Sequence, residues 1–88
     1  MSVDITYSGA TVGSERVADE WERIEVAFGP ERVERLEDSG LDIGWDDESL
    51  TLSMPAGQDK ATDKLFGKLA DTVAVELGRA FDWDVDDA

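Results

Sequence analysis

The sequence predicts an α+β fold in which a small antiparallel sheet packs against a long C-terminal helix and two shorter helices. Apolar and polar residues alternate over residues 3–7, and again on both sides of a short acidic segment within residues 41–54. Such alternation is typical of half-buried strands. Over residues 14–28 and 59–81 apolar residues instead recur every three or four positions, which is the pattern of amphipathic helices.

The N-terminal strand and the first helix come first along the chain. We expect the strand over residues 3–7. Ser14 then has the side chain of a good helix N-cap, and the helix after it would bury Val17, Trp21 and Ile24. Residues 23–28 also alternate, so a strand at this position is an alternative.

The second helix is predicted to be short. Pro30 is suited to a first helical turn, and Gly40 to the position just after a helix end. Leu41 would then supply the apolar contact that often accompanies a glycine-ended helix. We therefore expect a helix between these two punctuating residues.

The hairpin has the clearest local pattern in the chain. Asp47 and Glu48 form either a two-residue turn or the centre of a four-residue loop, and both give the same strand register. This register places six apolar side chains on one face, by pairing Leu41 with Met54, Ile43 with Leu52, and Trp45 with Leu50.

The C-terminal helix is predicted over residues 59–81. Gly67 and Gly78 lie inside it, and each costs about 1 kcal/mol relative to alanine. We interpret them as points where the helix backbone closely approaches the sheet or a second copy of the helix. The predicted core collects the apolar faces of all elements: Ile5, Trp21, Ile24, Phe28, Val33, Leu36, Ile43, Trp45, Leu50, Leu52, Leu65, Leu69, Val73 and Leu77.

The charge of the chain is strongly negative. Its 88 residues carry 22 acidic and 8 basic side chains, for a formal charge of −14. Self-repulsion of this size is screened at molar salt, where the Debye length is about 3 Å. We interpret the acidity as adaptation to a salt-rich, halophile-like cytoplasm. A specific acidic surface for a basic partner is the competing interpretation.

Features that the sequence lacks limit the cellular locations and the chemical activities that we expect of the protein. There is no apolar run of about 18 residues and no basic segment followed by an apolar one at the N-terminus. We expect a cytoplasmic protein that does not associate with membranes. Without cysteine or histidine, disulfides and the common zinc sites are excluded. We expect no enzymatic activity, no cofactor and no specific metal site.

Two acidic segments resemble metal-binding patterns only partly. Residues 82–87 echo the opening of a calcium-binding loop, but they lack its glycine and its final glutamate. The carboxylates around the hairpin tip would hold a hydrated cation loosely at most. Neither segment changes the expectation of a solvated acidic surface.

The three lysines of the chain point to a candidate interface. Lys60, Lys64 and Lys68 recur every four residues in a helix whose net charge is zero, on a chain that is otherwise strongly acidic. They either pair locally with Asp63 and Asp71 or rest against the acidic first half of the chain. Alternatively they contact a carboxylate-rich surface, most simply that of another copy, or the phosphates of a nucleic acid. We divide the chain into a domain of residues 1–81 and an acidic tail of residues 82–88. The tail either folds back on the core, adds an edge strand beside residues 3–7, or binds a partner. The candidate interface is Lys60, Lys64, Lys68, Phe81 and Trp83.

Direct binding to nucleic acid is not expected. A ribbon at the N-terminus or a wing at the hairpin would present aspartate and glutamate to phosphates. The predicted function is a non-enzymatic protein-interaction module whose partner is most simply itself, as a homodimer. The alternative is a regulator of nucleic-acid transactions, acting as an acidic DNA mimic or through a protein partner.

Overall fold

The computed structural model describes residues 2–86 and confirms the α+β class. The order of elements is β1 (Ser2–Ser8), α1 (Ser14–Phe28), α2 (Pro30–Asp38), β2 (Asp42–Trp45), β3 (Ser49–Pro55), α3 (Lys60–Phe81) and β4 (Asp84–Asp86). The strands form one antiparallel sheet in the order β2-β3-β1-β4. None of the helices in this part of the chain is long and apolar enough to cross a membrane.

The sheet register follows the alternation of the sequence. Ile43 pairs with Leu52, and Trp45 with Leu50, as the hairpin pattern predicts. Leu52 also pairs with Ile5 on the other side of β3. Because paired residues share a face, the apolar side chains collect on the face that packs against the helices. The opposite face carries serine, threonine and aspartate.

The hairpin loop is held by its own side chains. The main-chain N–H of Asp46 donates to the carbonyl oxygen of Ser49 at 3.0 Å. The Asp46 carboxylate accepts from the Glu48 N–H at 2.9 Å and from the Ser49 hydroxyl at 3.0 Å. These hydrogen bonds hold the pKa of the Asp46 carboxyl below its usual value.

The end of α1 resolves the ambiguity at residues 23–28. The helix continues to Phe28, so the alternative of a strand at this position is wrong. The expected cap is also wrong, because Ser14 already lies inside the helix and the N-cap is Gly13, which makes no side-chain capping bond. Gly13 has φ of 99°, a conformation that glycine adopts more readily than serine.

The second helix ends as the sequence predicts. The N–H of Leu41 donates to the Leu36 carbonyl at 2.9 Å, and the N–H of Gly40 to the Glu37 carbonyl at 3.0 Å. Gly40 has φ of 110°. This is the Schellman arrangement, which turns the chain out of α2 and into β2. Leu36 and Leu41 are both buried in the core.

The long helix α3 begins at a side-chain cap. The Asp59 carboxylate accepts a hydrogen bond of 2.7 Å from the Thr62 N–H, which satisfies one of the free donors of the first turn. The helix then runs to Phe81 as predicted, burying Phe66, Leu69, Val73 and Leu77 against the sheet and α1.

The core matches most of the predicted positions, with one clear error. Trp45 was expected to be buried but is 42% exposed, because β2 is an edge strand. Four other predicted core residues are only half-buried: Ile5, Phe28, Ile43 and Leu65. Val17, Leu41 and Met54, which lie on the predicted apolar faces of α1 and the hairpin, are also buried. The core further includes Tyr7, Phe66 and Trp83.

The chain after α3 returns to the sheet. Asp82 adopts the left-handed conformation with φ of 60°, which reverses the chain at the helix end. Trp83 then enters the core, and β4 pairs with β1 so that Val85 lies opposite Tyr7. Two of the arrangements considered for residues 82–88 are present as far as residue 86, since Trp83 folds onto the core and β4 forms an edge strand beside β1.

Candidate protein interface

The three lysines form an exposed row on α3. Lys60, Lys64 and Lys68 are all exposed, one helical turn apart. The two ion pairs among the described side chains join Arg23 to Glu20 and Arg79 to Glu76, so neither involves a lysine. The local pairing considered from the sequence is therefore not what residues 2–86 show. The row is free to contact another molecule.

A glycine, an aspartate and a valine share this side of the helix. The helical repeat places all six residues within about 100° around the axis, and all six are exposed. A Cβ atom added to Gly67 would meet nothing within 4 Å, and Val75 is 56% exposed. We call this set the α3 surface: Lys60, Lys64, Gly67, Lys68, Asp71 and Val75.

Gly67 and Gly78 were both interpreted as points of close approach within the protein or between copies. Within the described chain neither has a tight neighbour, since the nearest atom to a Cβ on Gly78 would be the Trp83 carbonyl oxygen at 3.7 Å. The sheet therefore does not account for Gly67. Approach of a second helix is the remaining interpretation of the two that the sequence offered.

The two aromatic residues of the candidate interface lie elsewhere. Trp83 is only 3% exposed, and its indole N–H donates to the Ala10 carbonyl at 2.9 Å. Phe81 is half-buried, with its ring 5.0 Å from that of Trp83 and 5.4 Å from the Arg16 guanidinium carbon. Both side chains contribute to the chain's own packing, so the structure does not join them to the lysines in one surface.

A groove between α1 and α3 was not anticipated from the sequence. It has a volume of about 600 Å³ and is lined by Asp19, Glu22, Arg23, Val26, Ala27 and Glu76. A shallower depression on α3 continues from Glu76 to Val75, so the groove adjoins the α3 surface. Val26 is 67% exposed. An exposed valine off the apolar face of α1 could have indicated this groove from the sequence. However, Val26 also fitted the alternating pattern that suggested a strand over residues 23–28.

Residues 2–86 contain no group of three or more acidic side chains placed to hold a metal ion. Burial raises the pKa of the Tyr7 hydroxyl above its ordinary value, and the charge of Asp71 raises it further. The hydroxyl is therefore a hydrogen-bond donor at neutral pH, and it donates to the Ala70 carbonyl at 2.8 Å.

Comparisons with protein-family models, curated proteins and solved structures find no match for this chain. The functional proposal below therefore rests on the charge and geometry of the chain itself.

Proposed function

We propose that this chain is a non-enzymatic interaction module that associates with a second copy of itself through the α3 surface. The observation that carries the proposal is the lysine row. Its three members are exposed without an ion-pair partner in the described chain, although the protein has a formal charge of −14. In a contact between two α3 surfaces, the carboxylate available to this row is Asp71 of the second copy.

An antiparallel crossing of two α3 helices at Gly67 satisfies the symmetry of a homodimer. A two-fold axis there places residues before Gly67 beside residues after Gly67 of the second copy. Lys64 then lies beside Asp71 of the second copy, and Lys60 beside Val75 of the second copy. Each ion pair occurs twice by symmetry. An exposed pair contributes only about 0.5 kcal/mol, so the pairs set the alignment more than the affinity.

The glycine gives this crossing its close approach. An exposed glycine in a helix interior costs about 1 kcal/mol relative to alanine, and nothing in the described chain occupies the space beside it. Small residues at a helix crossing let the two backbones pack closely. The aliphatic stems of Lys60 and Lys64 would cover the exposed valine across the interface.

Salt is expected to favour association. Two copies that each carry a charge of −14 repel one another at low ionic strength. At about 1 M salt the Debye length falls to about 3 Å, which removes the long-range repulsion and leaves the contact pairs partly effective. The acidic composition indicates a salt-adapted cytoplasm, and such a cytoplasm would supply this high salt concentration.

Sedimentation equilibrium at low salt and in about 1 M KCl tests the proposal. We expect the wild-type protein to form a dimer in the higher salt. The double variant Lys64→Glu, Lys68→Glu should shift the equilibrium towards monomer by at least roughly tenfold in the dissociation constant. A wild-type monomer at both salt concentrations would contradict self-association.

A matched control separates the α3 surface from net charge. Arg32 is exposed on α2 and is not part of the α3 surface, and Arg32→Glu changes the charge by the same amount per residue as each lysine variant. We expect this variant to dimerise nearly as well as wild type. Equal loss of dimer in Arg32→Glu and Lys64→Glu would show that net charge alone governs association.

A further inference from the structure

The edge strand β2 has main-chain groups without a partner in the sheet. The bond from the Asp46 N–H to the Ser49 carbonyl makes that pair hydrogen-bonded. Hydrogen-bonded and non-hydrogen-bonded pairs alternate along an antiparallel ladder. Asp42 and Gly44 therefore bond to β3, whereas the N–H and C=O groups of Ile43 and Trp45 point away from it.

The other side of β3 gives the same assignment independently. The Gly9 N–H donates to the Glu48 carbonyl at 3.3 Å, so alternation makes Tyr7 and Leu50 a hydrogen-bonded pair in the β1–β3 ladder. The main-chain N–H and C=O of Leu50 thus form hydrogen bonds with β1 and not with β2. Trp45, which lies opposite Leu50 on β2, is left with its own N–H and C=O facing the open edge.

The side chains around this edge have two distinct characters. On the helix side, the Trp45 indole is 42% exposed. On the polar face, Asp42 is exposed, and a Cβ atom on Gly44 would meet nothing within 4 Å. The adjoining loop adds three exposed carboxylates, from Asp46, Asp47 and Glu48. The edge is thus acidic, with an aromatic surface on one side and open space on the other.

We propose that β2 binds an extended, basic segment of a partner protein as a fifth strand. Two apolar residues of that segment would pair with Ile43 and Trp45 and complete their main-chain hydrogen bonds. The lysine or arginine residues between and beside them would project onto the polar face, across Gly44 and towards Asp42. Backbone pairing supplies the affinity, and the carboxylates select a basic sequence.

A second copy of this chain is a poorer occupant of the same edge. Two β2 strands paired about Gly44 would place Asp42 directly opposite Asp46 of the second copy, and by symmetry would do so twice. Like charges directly opposite across a strand pair are destabilising. The acidic edge thus disfavours this pairing with another copy of the chain while accepting a basic segment.

A synthetic peptide of alternating lysine and valine tests the proposal on the wild-type protein. Trp21 and Trp83 are buried, so a change in tryptophan fluorescence on titration reports mainly Trp45. We expect saturable binding in about 0.15 M KCl. The control peptide carries N-methyl groups on its valines, which keep the charge but remove the donors. It should bind at least roughly tenfold more weakly. Equal binding of both peptides would mean that charge attraction alone is at work and would overturn the proposal.

Two substitutions at one position test the same edge from the protein's side. Trp45→Val and Trp45→Pro both lose the indole, but only the proline loses the outward N–H. By calorimetry, the proline variant should bind the lysine–valine peptide at least roughly tenfold more weakly than the valine variant. Equal affinities would overturn the proposal. If the proline variant fails to fold by circular dichroism, the N-methyl comparison on wild type decides.

Sedimentation equilibrium of the same variants without peptide measures self-association. A peptide-free dimer that Trp45→Pro abolishes would assign the edge to a second copy and overturn the basic-segment proposal. The lysine variants of the α3 surface should bind the peptide as wild type does, because α3 packs over β1 rather than at the β2 edge. Failure of α3 self-association and failure of strand addition are therefore distinguishable.

Discussion

The Tyr7 hydroxyl donates a hydrogen bond of 2.8 Å to the main-chain carbonyl of Ala70, joining β1 to the middle of α3. This bond turns the Ala70 side of the helix towards the sheet. The α3 surface, which carries Lys64, Gly67 and Asp71, lies opposite the buried side of the helix and faces outward. The contact thus helps to set the orientation of the α3 surface.

Removing the Tyr7 hydroxyl should lower stability modestly. Tyr7→Phe keeps the buried ring and loses one hydrogen bond, so we expect the free energy of unfolding to fall by about 1 kcal/mol. Urea unfolding in molar KCl measures the change. An unchanged midpoint would show that the bond makes no net contribution.

The same residue gives a prediction at alkaline pH. Burial, aided by the charge of Asp71, raises the pKa of Tyr7 in the folded protein above the ordinary value of 10.0. Above that pH the unfolded chain releases the proton while the folded chain keeps it, so stability falls as pH rises. Urea midpoints of wild type should therefore fall more steeply above pH 10 than those of Tyr7→Phe. Parallel curves for the two proteins would contradict the assignment.

The packing of Trp83 depends on a glycine far away in the sequence. A Cβ atom on Gly9 would lie 2.5 Å from Cδ1 of Trp83, which is too close. Gly9→Ala should therefore destabilise the fold by about 1–3 kcal/mol. Gly44→Ala is the matched control, since its Cβ meets nothing within 4 Å, and it should be nearly neutral. Thermal unfolding compares the two, and equal effects would argue against the predicted overlap at Gly9.

The cap of α3 predicts a loss of stability in acid. Hydrogen bonds from the Thr62 hydroxyl and main-chain N–H lower the pKa of Asp59 below 3.8 in the folded state. The resulting stabilisation is present above the unfolded pKa and is lost as pH falls through the folded pKa. Asp59→Asn keeps a capping oxygen without the titration, so its stability should decline less between about pH 5 and about pH 2. Urea midpoints across this range are the measurement, and an identical decline would assign the acid limb to other carboxylates.

Gly67→Ala should affect folding and association in opposite directions. The substitution removes an exposed helical glycine, so the monomer should gain up to about 1 kcal/mol. The added methyl group would meanwhile separate the two helices at their crossing and weaken the dimer. Urea unfolding at low salt and sedimentation in molar salt measure the two effects. A variant that is more stable and dimerises as well as wild type would argue against a crossing at Gly67.

The fold could be predicted from the sequence where a local pattern of apolar residues was compatible with only one structure. Alternation in residues 41–54 fixed the hairpin register, because a slip by one residue would turn every apolar side chain to the polar face. Alternation did not reveal that β2 lies at the edge, so Trp45 was wrongly placed in the core. The position of Trp83 depends on space that Gly9 leaves 74 positions earlier, a relationship that no local pattern contains.

The candidate site was predictable in part for the same reason. The four-residue spacing of Lys60, Lys64 and Lys68 placed them on one helix face from sequence alone. Trp83 had no comparable constraint, because the chain reverses at Asp82 before it reaches that residue. Whether the lysines paired locally or remained exposed depended on side-chain positions that spacing does not determine.

A charge swap at the proposed dimer contact tests the central claim most directly. In about 1 M KCl, sedimentation equilibrium should show that Lys64→Glu and Asp71→Lys each weaken the dimer. The double variant, which restores both symmetric ion pairs with reversed polarity, should recover most of the lost affinity. Recovery would place Lys64 beside Asp71 of the second copy. A double variant no better than the sum of its single changes, or a wild-type protein that stays monomeric, would contradict association through the α3 surface.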